Sequence, residues 1–121
     1  MKCCICGTVR NCGKYLDKIF SIMEQIGTLF EDYKIVLYYD SSNDKTLEQL
    51  QNYATKNNNF VLLINTETLL KFRTHRIALG RNKCLKTMRE KFDDYEYFIM
   101  MDCDDRSYYN IKLNLLKNYL L

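Results

Sequence analysis

Proline and tryptophan are absent from the chain, histidine occurs once and glycine four times in 121 residues. Long apolar runs are missing too: Ile35 to Tyr39 and Phe60 to Ile64 fall far short of the roughly 20 residues that cross a bilayer. No charged-then-apolar leader precedes them, so no membrane span and no signal peptide are expected, and the predicted location is the cytoplasm. With His75 as the only histidine, the C-x-x-C spacing of Cys3 and Cys6 lacks the second cysteine or histidine pair of a structural zinc site. No G-x-G-x-x-G or G-K-[ST] motif occurs, which leaves a dinucleotide fingerprint or a P-loop without support. The net charge is only +3, from 18 basic and 15 acidic residues, too small to argue for nucleic acid. No linker, low-complexity stretch or close repeat divides the chain, and one domain over residues 1–121 is expected.

What the chain has is 47% hydrophobic and 27% charged residues, a composition suited to one packed core. Its six cysteines are Cys3, Cys4, Cys6, Cys12, Cys84 and Cys103. The first three fall in a strand-like segment, where small apolar thiols fill a core, and their use in this way predicts a reducing compartment. Charge is segregated along the chain. Between Lys71 and Lys91 lie Arg73, Arg76, Arg81, Lys83, Lys86 and Arg89 against the single acid Glu90, and the segment from Asp93 to Asp105 then holds six acids.

The hydrophobic pattern alternates between strand and helix. Cys3 to Val9 reads as a buried strand, followed by Leu16, Ile19, Phe20, Met23 and Ile26 at helical spacing, with Gly27 as the stop. Lys34 to Tyr39 reads as a second strand, then comes the turn Asp40 to Asp44, and Leu47, Leu50 and Ala54 form a helical stripe capped by Ser42 or Asp44. A third strand covers Phe60 to Asn65, a loop runs through Thr74, and a helix spans about Arg76 to Phe92. The fourth strand is Tyr97 to Met101, and Leu113, Leu116 and Leu120 suggest a last helix. Strands apolar on both faces, alternating with amphipathic helices, predict an α/β fold: a Rossmann-like, mostly parallel sheet flanked by helices. Such sheets bind ligands beyond the carboxyl ends of their strands. That rule selects Thr8, Val9 and Arg10, then Asp40 to Asp44, Asn65, and Asp102 to Asp105.

Asp102-Cys103-Asp104-Asp105 follows its strand directly. In extended backbone Asp102 and Asp104 point to one side, where their oxygens can share Mn²⁺ or Mg²⁺. An EF-hand is excluded, because its sixth and twelfth positions would be Ser107 and Leu113. A solvated acidic turn explains the same residues without a metal. Asp40 is not needed by the helix cap, and at the last strand position it can accept hydrogen bonds from a ribose hydroxyl or a base imide. In the segment Arg73 to Asn82, steps of about 100° place Arg81 in the middle of a stripe of Ile77, Cys84, Leu85, Met88 and Phe92. A buried-side arginine there predicts a brace to Asp102 or Asp104, with Arg76 facing a phosphate, while Lys83, Lys86 and Arg89 form a solvated face.

Four ordered pieces now stand together: Gly7-Thr8-Val9-Arg10-Asn11; Tyr39 to Thr46; Arg76 to Asn82 before Lys83-Cys84-Leu85; and Ile99 to Asp105 with its DxD. In order and spacing the chain resembles the nucleotide-sugar-binding, N-terminal half of a GT-A glycosyltransferase, with a particular likeness to the cryptococcal mannosyltransferase-like and giant-virus enzymes. The resemblance implies a metal-dependent hexosyltransferase domain whose donor is a UDP-sugar or GDP-mannose, acting in the host cytoplasm if the source is viral. Thr8, Val9, Arg10 and Asp40 would then line the nucleoside pocket, Arg76 would approach the base or phosphates, and Asp102 would reach the ribose or a water on the metal. Asp104 would be the metal ligand, with Asp102 beside it, and the cofactor would be Mn²⁺ or Mg²⁺. In the family a second half follows the DxD strand and supplies the acceptor site and often the general base. The expectation here is therefore a truncated domain, no assignable catalytic residue, an unknown glycan or protein acceptor, and a homo-oligomer or partner subunit. Two other readings stay open: a non-catalytic nucleotide-binding or interaction module, and, less favoured by the adjoining acids, nucleic-acid binding through the tract from Lys71 to Lys91.

Overall fold

The computed structural model describes residues 1–103; Asp104, Asp105 and the expected last helix lie outside them. The described residues form β1 (Lys2–Val9), α1 (Leu16–Gly27), β2 (Asp32–Tyr39), α2 (Thr46–Lys56), β3 (Phe60–Ile64), α3 (Arg73–Lys91) and β4 (Tyr97–Asp102). All pairings are parallel, in the order β3-β2-β1-β4. Register runs from Lys2 opposite Asp32 to Val9 opposite Tyr39, and from Cys3 opposite Tyr97 to Thr8 opposite Asp102. The Rossmann-like α/β sheet read from the hydrophobic pattern is thus the fold of the protein. Among the described residues no helix is long and apolar enough to cross a membrane.

Period-two alternation sorts the side chains of the central strands onto two faces. Cys3, Ile5, Val9, Ile35, Leu37 and Tyr39 meet Leu16, Ile19, Met23 and Leu50, so α1 and α2 cover one face. Cys4, Cys6, Val36 and Tyr38 meet Cys84, with Met88 and Phe92 packed beside them, so α3 covers the other. Leu16, Ile19 and Met23 are fully buried, and each side chain of this size removed from water contributes about 1.5–3 kcal/mol. Cys3, Cys4, Cys6, Cys12 and Cys84 are buried free thiols. Burial pushes the thiol of Cys3 up to about 12 and those of Cys4 and Cys12 up to about 11. The Cys84 thiol and burial together raise Cys6 as well. They act as small apolar filling.

One local expectation is corrected and two are made more specific. α3 begins at Arg73, earlier than Arg76, and its N-cap Phe72 makes no side-chain cap bond; with no capping side chain, the start carries no sequence signal. The residue before α2 is Lys45, which makes no side-chain cap bond; Asp44 Oδ1 accepts the N–H of Thr46 and so caps the helix from one position further out, while Ser42 is engaged across the gap to the first loop. Gly27 ends α1 as expected, as its last helical residue and without a positive φ. Its missing side chain leaves room for the ring of Tyr33.

Candidate functional site

The chain leaves β1 by way of α1 toward β2 and β3, and later returns through α3 to place β4 on the opposite side of β1. The carboxyl ends of β1 and β4 therefore flank a topological switch point, where open α/β sheets form their ligand crevice. A cleft of about 200 Å³ lies there. β1 contributes Thr8, Val9 and the following Arg10, β2 contributes Tyr38 and the adjoining Asp40, and β4 contributes Asp102 followed by Cys103. The first turns of α3 close the remaining side with Arg73, Arg76 and Ile77. Thr8, Val9, Arg10, Asp40, Arg76 and Asp102, widely separated in sequence, are thus neighbours. Arg73 was not among the candidate residues, because an arginine in a basic tract carries no mark of facing a cleft. A more open groove of about 330 Å³ lies between the end of β3 and Lys83, Lys86 and Lys91 on the outer side of α3.

Asp40 is 6% exposed. Its Oδ1 accepts the backbone N–H of Ser41 at 3.0 Å and Nδ2 of Asn65 at 2.9 Å. The preceding strand residue but one, Tyr38, keeps its proton: burial raises its hydroxyl, and the nearby Asp40 and Glu67 carboxylates raise it further. The turn after Asp40 is tied to the turn after β1. Ser42 Oγ accepts the N–H of Asn11 at 2.9 Å, Asn11 Oδ1 accepts that of Asn43 at 2.6 Å, and Asp44 Oδ2 accepts that of Gly13 at 3.1 Å. Asn11 holds φ 50, the left-handed region that Asn tolerates better than most side chains. Two strand ends are braced this way by polar contacts between loops.

At the other wall Arg81 Nη2 donates to Asp102 Oδ1 at 2.8 Å. The arginine is 46% exposed and the carboxylate 69%, so the buried-side placement of Arg81 is corrected. Gly80 is the buried neighbour, and a Cβ on it would overlap Thr8 Cγ2 and approach Tyr38 Cδ1 to 2.9 Å. The helix presses onto the sheet at Gly80 and Cys84, which turns Arg81 to the rim. An exposed pair contributes little to stability; its effect is to orient the carboxylate. Arg76 turns its Nη1 to the carbonyls of Leu70 and Lys71 at 2.9 and 3.0 Å, closing the preceding loop onto the helix. Three arginines and two carboxylates therefore share one cleft, a charge pattern suited to an anionic, hydroxyl-rich ligand.

A parallel sheet with helices on both faces and a charged crevice at its switch point defines the class: an open, Rossmann-like α/β fold with its site beyond the strand ends. The chain belongs to glycosyl transferase family 2, whose sequence model matches residues 4–120. Two crystal structures of S. aureus TarS have a similar fold. One shares 21% identity with a TM-score of 0.58, over 86% of this chain and 17% of that one. The other, TarS 1-349, also shares 21% identity, with a TM-score of 0.60 over 99% of this chain and 31% of that one. The chain spans less than a third of either TarS chain, and at this identity the likeness is one of fold. No curated protein matches the sequence.

Proposed function

We propose that the cleft between the ends of β1 and β4 binds the nucleoside diphosphate of a sugar donor, a UDP-sugar or GDP-mannose, as the donor-binding part of a metal-dependent glycosyltransferase acting on a glycan or protein acceptor. The observation that carries this reading is the meeting of Thr8, Val9, Arg10, Asp40, Arg76 and Asp102 on one crevice in a chain of glycosyl transferase family 2. Asp40, with Thr8 to Arg10, takes the nucleoside by accepting from a base N–H or a ribose hydroxyl. Arg76 and Arg73 face the diphosphate, which planar guanidinium groups grip through paired N–H donors. Asp102 serves the ribose or the ion, held in orientation by Arg81.

The donor chemistry at Asp102 fits Mn²⁺ or Mg²⁺, since both prefer hard carboxylate oxygens. Among the described residues no group of three His, Cys, Asp or Glu side chains could hold a metal ion; in this proposal Asp102 and Asp104 would hold it together. When bound, the ion supplies neutralisation of charge growing on the departing diphosphate. Arg76 and Arg73 act on the same charge from the helix side. No catalytic base is assigned among the described residues.

Thermal melts with UDP, GDP, UDP-sugars and GDP-mannose, with and without Mn²⁺, test the reading, because a ligand that binds the folded state raises its midpoint by mass action. At least one nucleotide is expected to raise it, with a larger shift in Mn²⁺. Asp40→Ala is expected to weaken binding with or without metal, and Asp104→Ala to remove only the Mn²⁺-dependent part. No shift with any nucleotide in either condition would overturn the proposal.

A further inference from the structure

Asn65 is the first residue after β3, and its place is specified from three directions. Its N–H donates to the Tyr39 carbonyl at 2.9 Å, continuing the β2–β3 ladder by one step. Its Oδ1 accepts the N–H of Glu67 at 2.9 Å, and its Nδ2 donates to Asp40 Oδ1 at 2.9 Å. These contacts settle the amide orientation: the oxygen end must meet the Glu67 donor, so only the NH₂ end can face Asp40. The Ser41 N–H reaches the same Oδ1. Both hydrogen bonds that the described residues make to this carboxylate thus come to one oxygen, while Asp40 lines the cleft.

We infer that Asn65 is a positioning residue for the donor site: by holding Oδ1 of Asp40 it leaves Oδ2 as the oxygen that accepts from an incoming nucleoside. The inference rests on the donor-cleft reading above and adds a residue that makes no contact with ligand itself. A neutral donor suits the task. A cation in its place would form an ion pair that competes for the carboxylate, and a second carboxylate would repel it. Tyr38 lies in the charge field of both Asp40 and Glu67, and Arg10, Arg73, Arg76 and Asp102 share the cleft with Asp40; among the described residues the donors to Oδ1 are Ser41 and Asn65.

The test is titration calorimetry of UDP and GDP without metal at pH 5.5 and pH 8, comparing Asn65→Asp and Asn65→Ala with the parent. Far-UV circular dichroism at both pH values establishes that each variant is folded. Taking the ratio of variant to parent affinity at each pH cancels the titration of the nucleotide itself. Asn65→Asp is expected to bind about tenfold more weakly at pH 8, where two carboxylates oppose each other, and to recover most of that loss at pH 5.5, where one shared proton restores a donor to Oδ1. Asn65→Ala is expected to lose severalfold by a ratio that does not change with pH, since it removes the donor and adds no titrating group. A residue important only for packing would give the same loss at both pH values in Asn65→Asp, and that result, or affinity equal to the parent in both variants, would overturn the inference alone. Failure of the parent to bind either nucleotide would overturn the cleft reading and this inference with it.

Discussion

Asp44 joins three groups that lie on two loops. Its carboxylate accepts the N–H and the hydroxyl of Thr46 at the start of α2 and the N–H of Gly13 after β1. Burial pushes its pKa up, yet the hydrogen bonds from Thr46 and from the backbone of Gly13 outweigh it and leave the group below the ordinary carboxylate value. A carboxyl group depressed on folding stabilises the native state above its unfolded pKa, and that stability is lost as the pH falls through the folded value. Urea melts between pH 2.5 and 6 are therefore expected to show the parent losing stability below about pH 4, with a smaller loss in Asp44→Asn. Asp44→Ala is expected to cost about 1–2 kcal/mol at neutral pH, read from the urea midpoint. The sequence shows that Asp40 and Asp44 flank a turn, and a cap is the local reading of the second. Its partner on the other loop, Gly13, is far away in sequence and offers only a backbone N–H, for which no residue type is diagnostic. Asp40 was legible for the opposite reason: an acid directly after the apolar strand Asp32–Tyr39 stands at the carboxyl edge of the sheet, where ligands bind.

Among the elements, strands were the most legible, because Cys3 to Val9 and Lys34 to Tyr39 are apolar on both faces and stop at polar residues. α3 was the least, and Gly80 explains why. An apolar stripe is counted from side chains, and the residue closest to the sheet has none, so the apparent centre of the helix face is displaced toward Arg81. Gly80→Ala tests this directly. On an isolated helix the change would stabilise by about 1 kcal/mol, but here the new methyl group meets Thr8 and Tyr38. A net destabilisation of about 1–3 kcal/mol is expected from overpacking, measured by thermal or urea unfolding. Adding Thr8→Ser, which removes the methyl group in the way, is expected to return part of the loss. Should Gly80→Ala stabilise the protein, α3 does not press on β1 as described.

For the molecule as a whole, the thiols report on integrity. Cys3, Cys4, Cys6, Cys12 and Cys84 are all sealed in the two layers against the sheet, and a neutral buried thiol is a poor nucleophile. Labelling by iodoacetamide, followed by mass spectrometry, is expected to modify these five only at the rate at which the structure opens; fast modification of any under native conditions would mean that its layer is not closed. The sheet order that the thiols sit in has a kinetic side. β1 precedes the other three described strands in the chain and is one of two interior strands, pairing with β2 on one edge and with β4, where Cys3 stands opposite Tyr97, on the other. Joining such distant stretches adds a loop-closure cost that must be met before the contacts form, which slows folding. During synthesis at about 5–20 residues per second, the segment Lys2–Val9 therefore waits several seconds with one edge unsatisfied. Until Tyr97–Asp102 has been made, that edge is a row of unpaired backbone donors and acceptors open to pairing with another chain.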